Sequence, residues 1–205
     1  MITLNDVMLE CFGNLMFFIF AILLYKQNRL AWSFVILNIL IITYLSAKYS
    51  ISTALIFMSA QIVAVLIVGV SWFIKPMFEA IDKIRLILAI IVSLLILVIW
   101  VLLMYFFVNP YILNFKMLFG FDYLIYMLFV LGCIFVAFRL SIGLIILATV
   151  FISKSFYYSQ TIVDISNAPA HIKEFTPYFL VSACCMILAG VFLVVAYTRA
   201  KKNLI

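Results

Sequence analysis

Six side chains in this sequence have types and spacings suited to handling a small molecule: Trp32, Asn38, Thr43, Gln61, Trp72 and Tyr157. All lie inside or at the ends of apolar runs, where an amide, hydroxyl or indole finds no water and needs a protein partner or a ligand. The stretch KQNRLAWSFVILN, residues 26–38, sets the pattern: a basic turn, a tryptophan, then an amide within an apolar run. Trp32 and Thr43 are eleven residues apart and share a helical stripe, with Ser46 close by. Asn38 is displaced from that stripe by about a third of a turn. Gln61 and Trp72 repeat the eleven-residue spacing in the next run. Tyr157 belongs to a polar and aromatic stretch with Thr149, Ser153, Ser155, Tyr158 and Gln160.

Two readings of this set stand side by side. Indole faces stack on a flat ring and amides select its edge, so the residues fit a pocket for a neutral or weakly charged aromatic solute. Asn and Gln also pair across membrane helices as glue, while Trp and Tyr populate interfacial belts. Asn14, beside Gly13, reads as a close-packing contact rather than as part of a pocket. Catalytic chemistry has no comparable candidate. The apolar runs contain no phosphate-cradling glycine loop, no H-E-x-x-H pair and no serine, histidine and aspartate set, so the expectation is a non-enzyme without cofactor or metal. His171, the one histidine, falls in a polar loop and reads as a solvated residue or as a pH-sensitive one. Cys11, Cys133, Cys184 and Cys185 sit in apolar runs without metal spacing and read as small packing residues.

The elements that would position these residues follow from composition. Of 205 residues, 70% are hydrophobic and 10% charged, and the mean hydropathy is +1.38. Soluble domains carry roughly a quarter of charged residues, so a polytopic membrane protein in a lipid bilayer is expected, with no sizeable soluble domain. The net charge of +6 does not indicate nucleic acid, because the basic residues stand singly or in pairs at the ends of apolar runs, as topology signals do. The N-terminus places Asp6 and Glu10 before its apolar run and has no basic n-region, so it reads as a retained helix rather than a signal peptide.

Charges and breakers divide the chain into seven apolar segments, near 10–25, 30–47, 51–74, 86–108, 121–138, 140–153 extending toward 160, and 176–198. The fold class expected is all-α, a bundle of seven transmembrane helices. With the N-terminus outside, nine basic residues fall on the inner side and four, Lys48, Lys116, Lys154 and Lys173, on the outer. This predicts an N-out, C-in orientation in the cytoplasmic membrane. The punctuation of the first three segments recurs in the last three: an acid (Glu10, Asp122), a helix, a base (Lys26 and Arg29, Arg139), a helix, a lysine (Lys48, Lys154), a helix, a base (Lys75, Arg199). A 3+1+3 arrangement of parallel repeats results, within one membrane domain. Its parts are residues 1–75, a linker helix in 76–120 and a second repeat in 121–205, with any site between the repeats.

The order of residues from 10 to 72 resembles the PnuC family of nicotinamide riboside transporters. The resemblance rests on E-x-x-G at Glu10 to Gly13, K-x-N at Lys26 to Asn28, Trp32 followed six residues later by Asn38, and Gln61 followed by Trp72. The family's sixth helix carries a W-x-x-W-x-x-x-N type motif, whereas the corresponding SIGLIILATVFISKSF has neither tryptophan nor asparagine. Asp122 and Arg139 are similar to the ends of the family's fifth helix. The resemblance implies an architecture related to the SWEET sugar transporters, with nicotinamide riboside or another flat vitamin precursor as the solute, moved by rocking of the two repeats. It further implies a homotrimer as a possible assembly and a cytoplasmic kinase that traps the solute. Every acid reads as lying at a helix end or in a loop, so passive movement is expected. The alternative is a small membrane protein that does not transport, such as a toxin-immunity protein or a binding subunit.

Overall fold

Each apolar run folds as a helix because its leucines, isoleucines, phenylalanines and alanines leave the backbone no polar partner but itself. The computed structural model describes residues 3–48, 52–75, 77–79, 82–107, 121–166 and 169–202. The segment 108–120, where Asn109-Pro110 reads as a helix stop, and the side chains of Ser46, Asp122 and His171, lie outside the described residues. The helices are α1 (Leu4–Tyr25), α2 (Ala31–Lys48), α3 (Ser52–Ile74), α4 (Lys83–Phe107), α5 (Phe121–Ala137), α6 (Ile142–Ser166), the single turn α7 (Ala170–Lys173) and α8 (Thr176–Lys202).

Six of them close a ring in the order α1, α2, α3, α5, α6, α8 and back to α1, with α4 outside it against α3 and α5. Their senses follow from the pairs they make. Gly13 meets Asn38 and Phe20 meets Trp32, so α1 and α2 are antiparallel. Phe18 meets Phe192 and Tyr25 lies under Arg199, so α1 and α8 are parallel. Tyr158 meets Phe179 and Gly190 abuts Ile152, so α6 and α8 are antiparallel. At the other seam the Ser71 hydroxyl donates to the Ala137 carbonyl at 2.8 Å and the Arg139 guanidinium to that of Lys75 at 2.9 Å, which makes α3 and α5 parallel. Phe17, Phe20, Phe129 and Phe151 fill the ring's interior with ring centroids 4.8 to 6.5 Å apart.

The expectation of seven transmembrane helices is overturned. Among the described residues three helices are long and apolar enough to cross a membrane, Leu4–Tyr25, Ile142–Ile165 and Thr176–Lys202. Within α2, α3 and α5 the described apolar stretches are shorter, Ala31–Leu45, Gln61–Ile74 and Leu124–Ala137. At 1.5 Å per residue these stretches cover about 21–23 Å, against a hydrocarbon core of about 30 Å. Division of the sequence at charges and breakers scores how apolar a run is, whereas crossing needs an apolar stretch that matches the core in length. The three long helices form a contiguous trio, with α8 between α1 and α6. Small residues let helices of this kind approach closely. Ser182, Ala183, Ala189 and Gly190 are such residues on the buried face of α8.

Two turns show the same backbone solution. After α1, Gln27 has φ 53°, its N–H donates to Leu24 O at 3.0 Å, and Asn28 N–H donates to Leu23 O at 2.8 Å. After α5, Arg139 has φ 63°, its N–H donates to Val136 O at 2.8 Å, and Leu140 N–H donates to Phe135 O at 2.9 Å. Both are Schellman closures, whose left-handed residue is usually glycine. The segment after α3 ties the two together, since the Trp72 indole donates to Asn28 O at 2.9 Å and Glu79 N–H donates to Arg139 O at 3.1 Å.

Candidate functional site

The buried residues of α2 include Trp32, Val35, Asn38 and Ile39. Trp32 packs against Phe20 with ring centroids 4.8 Å apart, and its indole N–H has no hydrogen-bond partner. Asn38 is 1% exposed and faces α1, where a Cβ placed on Gly13 would lie 2.8 Å from its Nδ2. Among the described residues neither Nδ2 nor Oδ1 of Asn38 has a partner. A buried amide without its bonds costs about 1–3 kcal/mol, so this one bears on function. Six residues separate Trp32 from Asn38, which puts the two along about 9 Å of helix.

The remaining predicted residues divide. Gln61 is buried on the face of α3 that also carries Val65, Val68 and Trp72. Trp72 is buried too, but its indole is committed to the Asn28 carbonyl and its ring to Phe78, 5.1 Å away, so it holds the first Schellman turn in place. Thr43 returns its hydroxyl to Ile39 O at 2.7 Å, within its own helix. Tyr157 lies on α6, 49% exposed, with its ring against Tyr158. The structure thus buries both Trp32 and Asn38 against α1, about a third of a turn apart on α2, and leaves Thr43 and Tyr157 apart from them. A groove of about 250 Å³ between α2 and α3 reaches Trp32 past Arg29, Ser33, Gly69 and Phe73. A second cleft, about 220 Å³ between α4 and α5, is lined by Ser93, Ile96, Leu97, Leu124 and Ile134 among others. Its Ser93 hydroxyl already donates to Ala89 O, so it offers a ligand mainly apolar surface.

No family model, no curated protein and no solved structure matches this chain. Its function therefore has to be argued from its own residues.

A second polar group joins α1 to α6. Asn14, 1% exposed, donates from Nδ2 to the Tyr158 hydroxyl at 2.8 Å, and that hydroxyl donates to Glu10 Oε1 at 2.8 Å. The packing contact expected at Asn14 is a hydrogen bond spanning 144 residues of sequence. Glu10, read from sequence as an acid at a helix end, lies six residues into α1, one of the three long helices. Lys154, read as an outer-loop lysine, sits midway along α6 with its ammonium 5.5 Å from the centroids of both Phe17 and Tyr126. The i, i+4 spacing of Glu10 and Asn14 was the available signal, since it puts two polar side chains on one face of an apolar helix.

The charges beyond the long helices gather at Glu79. Lys75 donates to its carboxylate at 2.7 Å, Arg85 contacts it directly, and the Arg139 guanidinium lies 3.8 Å away. The hydrogen bonds from Lys75 and Arg85 hold the Glu79 carboxyl down at a pKa of about 2. Among the described residues, no three His, Cys, Asp or Glu side chains gather to hold a metal ion.

Proposed function

We propose that this chain is a membrane permease for a small flat solute with hydrogen-bonding edges. Nicotinamide riboside is the candidate that the PnuC resemblance of residues 10–72 suggests. The observation that carries the reading is the unbonded amide of Asn38, buried against α1 on the same helix as the unbonded indole N–H of Trp32. A helix-gluing amide would have found its partner, as Asn14 has in Tyr158. An amide with a free donor and a free acceptor suits a ligand that presents both, and the indole adds one donor further along the helix. Conformational exchange within the helical ring would open the way to these buried groups. The N-out, C-in orientation belongs to the same proposal and rests on the basic residues alone.

Uptake of labelled nicotinamide riboside, thiamine and riboflavin into proteoliposomes tests the reading. One of the three should enter faster than into protein-free vesicles, and Trp32→Ala and Asn38→Ala should each slow that entry at least tenfold. If none enters faster, the permease reading is lost and a non-transporting binding protein takes its place. If a solute enters and both variants carry it at the normal rate, the transport stands and the site is elsewhere.

A further inference from the structure

We propose that Glu10 is a proton-binding site through which solute movement is coupled to a proton. The inference rests on the permease reading and replaces passive movement with proton-linked movement. An ionisable side chain within a membrane-crossing helix is expensive and persists where it is paired or used. Glu10 stands about 9 Å into α1, which is long and apolar enough to cross, and its partner Tyr158 is on α6, which is too.

The hydrogen bonds have a direction. Asn14 donates to Tyr158 and Tyr158 donates to Glu10, so the chain of donors ends on a carboxylate, which while ionised can only accept and once protonated can also donate. Bonds to an ionised acceptor are roughly twice as strong as neutral ones. A proton taken up by the Glu10 carboxylate makes it a neutral acid, removes the charge assistance from the Tyr158 bond and loosens the side-chain link between α1 and α6. Release of that proton to the other side restores the bond, and the cycle balances with one proton moved and no other bond changed.

Charged and titratable groups come near this network from several helices. Lys154 stands one turn before Tyr158 on α6, its ammonium over the Phe17 and Tyr126 rings. Asp6 stands one turn before Glu10 and is engaged by Lys48 of α2. Cys11 is the next residue on α1, Tyr157 and Tyr126 come from α6 and α5, and α8 brings Cys184, Cys185 and Tyr178 to the same side of the bundle.

The link to the solute is one residue long. Gly13 abuts Asn38, and the next residue, Asn14, is held by Tyr158. A movement of α1 permitted by protonation therefore changes the wall of the Asn38 site, which gives the two sites a shared two-state element.

The test is accumulation of labelled nicotinamide riboside in proteoliposomes under an imposed gradient of one pH unit, with a pH-sensitive dye reporting proton entry. Wild type should concentrate the solute severalfold, toward about tenfold for one proton per solute, with proton entry that depends on the solute. Glu10→Gln, with folding verified by thermal unfolding, should show neither. Tyr158→Phe keeps the carboxylate but breaks its link to Asn14, and should still carry protons with the solute while accumulating less of it. Entry in wild type without accumulation overturns the coupling and spares the permease. Accumulation by Glu10→Gln, or accumulation driven by a sodium gradient in place of the proton gradient, also overturns it. The absence of entry under every condition, pH-driven or not, overturns both and locates the failure in the permease reading.

Discussion

Replacement of Asn38 by leucine separates a ligand-binding amide from a structural one, because the two predict opposite changes in stability. The Asn38 amide is 1% exposed with both polar atoms unbonded. Leucine keeps the branch at Cγ and removes the desolvation cost of an unmade donor and acceptor, about 1–3 kcal/mol. Against this stands crowding at Gly13, whose would-be Cβ is already 2.8 Å from Nδ2, and overpacking costs typically about 1–3 kcal/mol. No Cβ is present at Gly13, so the leucine meets only hydrogens there and the first term prevails. The expected outcome is a gain of up to about 2 kcal/mol, read as a rise of several degrees in thermal unfolding of the purified protein in detergent. Solute binding should be lost in the same sample. The control is Tyr158→Phe, which removes a bonded group and should cost about 0.6 kcal/mol and at most about 1.7. A loss of more than 1 kcal/mol at Asn38→Leu would refute the reasoning, since it would mean that the amide makes bonds in the native protein.

Three further outcomes follow from the packing and the charges. Gly143→Ala should destabilise by several kcal/mol or prevent folding, because its Cβ would lie 2.8 Å from the Gly132 carbonyl and 2.9 Å from the Val136 nitrogen, which are backbone atoms unable to swing aside; Gly69→Ala, where the nearest atom is 3.6 Å away, should be tolerated, with expression and thermal unfolding as the measure. Gln27→Gly should stabilise by about 1 kcal/mol, as it relieves a left-handed φ at no contact cost, whereas Arg139→Gly should gain little because it forfeits the bond to Lys75 O, and thermal unfolding of the two variants compares them. Glu79 binds its proton more weakly folded than unfolded, so its contribution is present in full above pH 4.5 and is lost as pH falls toward 2. Its pairs are partly exposed, so the contribution is at most about 1 kcal/mol, and Glu79→Gln should flatten that part of the stability profile measured between pH 5 and 2.

Helical content, and Trp32 and Asn38 as polar groups set within an apolar run, were legible in the sequence for one reason. Period and polarity are local properties, and a lone amide in oil is visible without knowledge of its neighbours. The partners were not legible. Tyr158 sits 144 residues from Asn14, and nothing in either local sequence names the other. Trp72 looked like a ring for stacking because its spacing from Gln61 matched a helix face, yet its indole serves a carbonyl in a turn that the sequence does not announce. Both turns lack the glycine that signals a Schellman closure, and carry Gln27 and Arg139 there instead. Lys154 was counted on the outer side, near the end of a segment drawn as 140–153 extending toward 160, whereas α6 continues twelve residues past it. Its stem and ammonium are accommodated by the Phe17 and Tyr126 rings, a solution that hydropathy cannot register.

The two polar groups of α1 point in different directions because consecutive residues of a helix are about 100° apart. Gly13 presents its bare backbone to Asn38 on α2, and Asn14 reaches Tyr158 on α6. A helix that met only one of these neighbours could shift without affecting the other. Here α1 cannot rotate or slide without both stretching the Asn14 bond and reshaping the surface against Asn38. Glycine at position 13 is what keeps that coupling tight, since a side chain there would force α2 away and lengthen the path between the carboxylate and the amide. Gly13→Ala should therefore weaken the dependence of solute movement on the proton gradient more than it weakens solute movement itself. A purely structural role for Gly13 would lower both in proportion.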